Sequence, residues 1–142
     1  MISHNLIKGA NFTDERGLLS FFNAFEMNDI VRMYEIAPGD TKTIRAWQGH
    51  KIEKKWFYCS AGSFVINLIM IDDFNSPSNK LKSIRLLLHS KKPDILSISG
   101  GYATGFKALE ENSKLLVFSD FNIEESKQDD FRFPINYWEA EW

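Results

Sequence analysis

Turn-forming residues interrupt this chain so often that no long helix fits between them. Residues 11–17 (NFTDERG), Ala37-Pro38-Gly39-Asp40, Ala61-Gly62, residues 72–79 (DDFNSPSN), Lys91-Lys92-Pro93-Asp94 and Ser99-Gly100-Gly101 all carry the Gly, Pro, Asn and Asp that set turn geometry. Between them lie short stretches rich in aromatic and β-branched residues, at 18–23, 31–36, 41–47, 55–60, 63–71, 81–89, 95–98, 102–109 and 114–118. Roughly nine to eleven short strands with turns every 8–12 residues are the pattern of a sandwich or barrel. Residues 102–109 and 114–118 read as a hairpin around Glu110-Glu111-Asn112. Residues 122–129 carry the one trace of a helical period; their nearly all-polar faces predict a short surface turn rather than a packed helix. Residues 2–8 fit an edge strand or a segment laid across the body. One all-β domain is expected over residues 1–142.

Composition narrows the function classes. A chain that is 44% hydrophobic and 14% aromatic can fill a core, which excludes disorder. A net charge of -2 argues against nucleic acid as a partner. The single Cys59 excludes a disulfide framework and a cysteine-rich metal site, and its place on an aromatic strand makes it a small buried hydrophobe. The longest apolar run, 64–71, is broken by Asn67 and falls far short of the ~20 residues of a membrane span. With no signal-peptide pattern at the start, the expectation is a soluble, cytoplasmic protein. The three histidines, His4, His50 and His89, would all have to converge to build a mononuclear metal site, so no metal and no cofactor are expected.

The chemistry concentrates in residues 45–62, RAWQGHKIEKKWFYCSAG. Arg45, Gln48, His50 and Lys55 stand just ahead of, or at the start of, an aromatic strand that ends in a glycine turn, the usual make-up of a pocket mouth in a small β domain. Arginine forks match phosphate oxygens and lysine supplies a point charge, so Arg16, Arg45 and Lys55 suit a diphosphate; ordinary surface charge is the alternative. His50 is either a proton acceptor or a solvated residue in a lysine-rich loop. Tyr102, with Trp47, Trp56, Phe57, Tyr58 and Phe106, offers a stacking face for a base or sugar, or else belongs to the core. No helix pattern follows Ser99-Gly100-Gly101, which excludes a dinucleotide or P-loop fingerprint.

Five motifs in order resemble those of the cupin superfamily of sugar-nucleotide enzymes, which includes dTDP-4-dehydrorhamnose 3,5-epimerases and dTDP-4-oxo-6-deoxyglucose 3,4-ketoisomerases. Phe12-Thr13-Asp14-Glu15-Arg16-Gly17 is similar to the epimerases' F-x-D-x-R-G segment. Arg45-Ala46-Trp47-Gln48-Gly49-His50 stands where epimerases have R-G-L-H-x-Q and ketoisomerases R-G-x-H-x-H. Lys55, seven residues before Gly62, resembles the epimerases' active-site lysine. The run from Ile98 to Phe106 parallels I-P-P-G-F-A-H-G-F, and Asp129-Asp130-Phe131-Arg132-Phe133-Pro134 closes the series.

The resemblance implies a double-stranded β-helix, or jelly-roll barrel, and a metal-independent isomerase or epimerase acting on a dTDP- or UDP-linked 4-keto-6-deoxyhexose. It implies His50 and Lys55 as catalytic residues, and Arg16, Arg45 and Gln48 as substrate-binding ones; Tyr102 joins the substrate-binding set as a stacking face. The departures fall on the chemistry. Gln48 stands at the epimerases' general base, Thr104 at the second motif's histidine and Leu116 at the catalytic tyrosine. A pocket that binds a nucleotide sugar without turning it over is therefore the alternative. The resemblance also implies a homodimer, for which the aromatic tail (Phe131, Phe133, Tyr137, Trp138, Trp142) offers an apolar surface that docks on a partner or on the body.

Overall fold

The computed structural model describes residues 1–142. Its elements run β1 (His4–Lys8), β2 (Ala10–Asp14), β3 (Gly17–Phe21), β4 (Arg32–Ile36), β5 (Arg45–His50), β6 (Lys55–Ala61), β7 (Ser63–Met70), β8 (Ser83–His89), β9 (Asp94–Ile98), β10 (Tyr102–Ala108), β11 (Lys114–Ser119), α1 (Ile123–Lys127) and β12 (Phe131–Arg132). Two antiparallel sheets, β1-β9-β6-β11-β4 and β12-β5-β10-β7-β8, face one another, with β2 and β3 forming a separate hairpin. Strands adjacent in sequence mostly lie in opposite sheets, which is the jelly-roll form of an all-β domain.

The inner faces of both sheets supply the main core, where Phe57, Phe64, Ile66, Leu68, Leu96, Leu115 and Val117 pack with Cys59. Burial pushes the Cys59 thiol up to about 11, so it behaves as the small hydrophobe expected of it. A second cluster lies on the outer face of the β5-β10-β7 sheet, where Trp47, Ile69, Ile71 and Ala103 pack against Trp138. Covered on both faces, β7 reads as a continuous apolar run instead of an alternating one.

Three local expectations are corrected. β10 and β11 form no hairpin: β10 pairs with β5 and β7, whereas β11 pairs with β4 and β6. The link between them crosses the barrel, as does the turn at Gly62, whose φ of +70° suits glycine and where a Cβ would collide with Ser113. Residues 11–14, the first part of an expected turn, belong to β2. Residues 122–129 do contain a helix. Asn122 accepts from the Glu125 amide and Glu125 accepts from the Asn122 amide, a capping box that starts α1. Of the two places left open for the aromatic tail, a partner or the body, it takes the body of its own chain. Trp138 stacks edge-on to Trp47 and donates to the Ser78 carbonyl, and Trp142 packs on the same ring.

Candidate active site

Register decides which side chains of β5 face inward. Tyr102 pairs with His50 and Thr104 with Gln48, so Gln48 and His50 share the barrel-facing side with these β10 residues, while Trp47 faces out. In the opposite sheet, Ser119 pairs with both Lys55 and Arg32, and Val117 with both Phe57 and Tyr34. Two rows of side chains therefore cross the inner face of that sheet. The rows border a cavity of about 950 Å³ at the open end of the barrel, with Arg32, Tyr34, Lys55, Arg45, Gln48, Thr104 and Phe106 in its wall. Ser126 of α1 and the Asp130-Arg132 segment complete the rim.

Lys55 donates to the Tyr34 hydroxyl at 3.1 Å, off the edge of the ring, whereas the Arg32 guanidinium lies over the ring, 5.2 Å from its centre. Beneath Lys55 sits Glu53, with no exposed side-chain surface. Its Oε1 accepts from Ser119 at 2.6 Å and Arg32 at 2.8 Å; its Oε2 faces His50 Nδ1 at 2.9 Å, Ser126 at 3.2 Å and Lys55 at 3.8 Å. Burial alone would raise this carboxyl. Hydrogen bonds from His50 and Ser119 and the nearby charge of Lys55 more than reverse that, holding it at about 2. The loop carrying Glu53 is pinned by Asp129, whose carboxylate accepts the amides of Lys51, Ile52 and Glu53 at 2.7, 2.9 and 2.8 Å. Gln48 donates to Asp130, which Arg132 also pairs at 2.8 Å; partial burial would raise Asp130, and these two bonds outweigh it and hold it below the usual carboxylate range.

Of the residues singled out in sequence, Arg45, Gln48 and Lys55 line this cavity. His50 lies just behind it, 3% exposed. Its Nδ1 contacts the Asp129 carbonyl at 2.6 Å as well as Glu53, and its Nε2 is buried without a partner. Tyr102 is in the inter-sheet core, its hydroxyl 3.0 Å from His4 Nδ1, and offers no stacking face. Arg16 is not in the cavity of its own chain: it sits at the exposed turn of the β2–β3 hairpin, paired with Asp14 at 2.6 Å. Leu116 is not in the cavity wall either; the inward residues of β11 are Leu115, Val117 and Ser119. The tyrosine that does reach the cavity is Tyr34 of β4.

Sequence reading missed Arg32, Tyr34 and Glu53. The alternation of β4 places Arg32, Tyr34 and Ile36 on one face, and this was legible; that the face borders a site depends on β4 pairing with β11, more than 80 residues away. No group of three His, Cys, Asp or Glu side chains is placed to hold a metal ion. No helix is long and apolar enough to cross a membrane.

No protein-family model matches the chain, and no curated protein matches it by sequence. Solved structures do. A mutant of the 3,4-ketoisomerase QdtA from Thermoanaerobacterium thermosaccharolyticum, in complex with TDP-4-keto-6-deoxyglucose, superimposes with a TM-score of 0.72 at 23% identity, over 94% of this chain and 90% of that one. The dTDP-4-dehydrorhamnose 3,5-epimerase of Bacillus anthracis, with TDP and PPi bound, gives 0.74 at 15% identity over 94% and 79%. The rmlC epimerase of Mycobacterium tuberculosis gives 0.71 at 20% identity over 92% and 68%. The chain has the fold of these cupin-type sugar-nucleotide isomerases and epimerases.

Proposed function

We propose that this protein is a sugar-nucleotide isomerase that moves the carbonyl of a dTDP- or UDP-linked 4-keto-6-deoxyhexose through an enediol. The observation that carries the reading is the buried Lys55 ammonium, hydrogen-bonded to Tyr34 in the wall of a cavity large enough for such a ligand. The fold shared with proteins solved in complex with TDP or a TDP-keto sugar supports it.

Arg45, whose guanidinium has no carboxylate partner and lies 5.9 Å above Phe106, takes the diphosphate. His50 Nε2 removes the proton on C3, and that electron pair forms a C3=C4 bond as the C4 carbonyl becomes an enolate. Lys55 stabilises the charge developing on that oxygen. The O3 hydroxyl loses a proton and O4 gains one, a transfer for which the Tyr34 hydroxyl is available. The proton held on Nε2 returns to C4, giving the 3-keto sugar with no oxidant, reductant or metal consumed. One base and one face suffice for this shift, whereas epimerisation requires proton delivery from the opposite face. The product would feed surface-polysaccharide synthesis in the cytoplasm, and the working form is a homodimer.

A second reading is favoured by one observation: His50 lies behind the cavity lining rather than in it. On that reading the protein binds a nucleotide sugar without turnover, as a sensor or a subunit of a synthesis complex. The test incubates the protein with dTDP- and UDP-4-keto-6-deoxyglucose in deuterium oxide and follows ring protons by NMR. Exchange and a new 3-keto signal, both abolished by His50→Ala, are expected. Calorimetric binding without exchange favours the second reading, and no affinity for either nucleotide sinks both.

A further inference from the structure

Glu53 is an unusual group to find under a cavity wall. A carboxylate offers about four lone-pair directions, and here five side chains from five elements compete for them: His50 of β5, Lys55 of β6, Arg32 of β4, Ser119 of β11 and Ser126 of α1. Burying such a charge is costly unless each partner is supplied, and the fold supplies them all. A purely structural carboxylate would be served by Arg32 and the two serines. The additional contacts to His50 and Lys55 join it to the two groups assigned to proton transfer and to the oxyanion.

The His50 ring reports the consequence. Both groups facing Nδ1, the Asp129 carbonyl at 2.6 Å and Glu53 Oε2 at 2.9 Å, are acceptors. Nδ1 therefore carries the proton, and in the neutral ring the free lone pair is on Nε2, the atom that is buried and has no partner. Asp129 fixes the geometry twice, because its carbonyl holds the ring while its carboxylate clamps the 51–53 amides that set where Glu53 begins.

We infer that Glu53 is the positioning residue of this site: with the Asp129 carbonyl it confines the His50 proton to Nδ1, and through Oε2 it balances the charge of both the protonated His50 and Lys55. The inference rests on the reading that His50 takes a proton from a bound keto sugar. The charged groups around the pair are Arg32, Lys55, Asp120 and the Asp129 carboxylate on the Glu53 side, and Asp130, whose carboxylate feels the His50 ring from the β12 side. Glu53 is the one carboxylate in contact with His50 and Lys55 together.

Two measurements test it, and the first needs neither a substrate nor a Glu53 variant. Nitrogen-15 NMR of the three histidine rings, assigned with His4→Gln and His89→Gln, reads the His50 tautomer in the wild-type protein. Neutral His50 protonated on Nδ1, with Nε2 bare, is expected; the Nε2-protonated tautomer would overturn the inference. In the second, Glu53→Gln keeps the side-chain volume and removes the charge. With dTDP- or UDP-4-keto-6-deoxyglucose in deuterium oxide, kcat is expected to fall about 10²-fold or more while KM stays within about threefold. A kcat within threefold of wild type, or a KM that rises as much as kcat falls, overturns it. Should the wild-type protein exchange nothing, the proposed reaction fails on its own, and the His50 nitrogen-15 shifts compared between wild type and Glu53→Gln then decide the role of Glu53, since the Asp129 carbonyl alone could hold the proton on Nδ1: shifts unchanged in the variant overturn the inference.

Discussion

Lys55 is held where a lysine is seldom found, 4% exposed and with its ammonium between a phenol and a carboxylate. Lys55→Met keeps most of the stem and removes the charge, so the cavity should survive while the developing enolate loses its counter-charge. We expect kcat for solvent exchange to fall about 10²–10³-fold with dTDP affinity little changed, measured by NMR and calorimetry. The carboxylate beneath it carries a pH signature. The Glu53 pKa is depressed in the folded protein, from 4.5 to about 2, so its contribution is fully present above the unfolded value and is lost as pH falls through that interval. The shift corresponds to about 3 kcal/mol, to be read from urea unfolding at pH 6 and at pH 2.5. Glu53→Gln should flatten that dependence. An unchanged slope in the variant would mean that another carboxylate carries the acid sensitivity.

At the scale of elements, β5 is the strand on which both halves of the molecule depend. Its inward residues serve the cavity, and its outward Trp47 carries the C-terminal segment through Trp138 and Trp142. Trp138→Ala opens a large void against Trp47 and removes the bond to the Ser78 carbonyl, and should cost about 3–5 kcal/mol in urea unfolding. A cost below 1 kcal/mol would mean that the tail is ornamental. Strands β4 to β11 were legible because turn chemistry brackets most of them, around an alternating pattern in β4 and a continuous apolar run in β7. What periodicity does not carry is pairing across the barrel. Residues 102–118 read as a hairpin because neighbours in sequence usually pair, whereas the jelly roll sends β10 and β11 to opposite sheets. Arg45, Gln48 and Lys55 were found because they cluster in one stretch; Arg32 and Tyr34 were not, because only the β4–β11 pairing brings them there. α1 hid behind its polar surface, since its one buried side chain, Ser126, packs against a carboxylate rather than an apolar core.

At the scale of the whole molecule, the β2–β3 hairpin stands apart. It pairs with neither main sheet, and a lone two-stranded hairpin is marginal in water. Phe12, Leu18 and Leu19 nevertheless stand more than half exposed on it. The first sheet ends at β4, whose outer edge has no partner strand and whose Met33, with the preceding Val31, is also exposed. An apolar hairpin and an open apolar edge on the same chain are the two halves of a contact that a second copy can close twice about a two-fold axis. The proposed homodimer is predicted to use this surface rather than the aromatic tail already committed to Trp47. It would also give Arg16, idle at the hairpin turn, a route toward a partner's cavity near β4. Light scattering at micromolar concentration should return twice the chain mass. Leu18→Asp with Leu19→Asp should return a folded monomer that binds dTDP more weakly. A monomeric wild type would remove the dimer, and a dimeric double variant would move its interface elsewhere. A monomeric variant with full dTDP affinity would show that Arg16 never crosses to the neighbouring cavity.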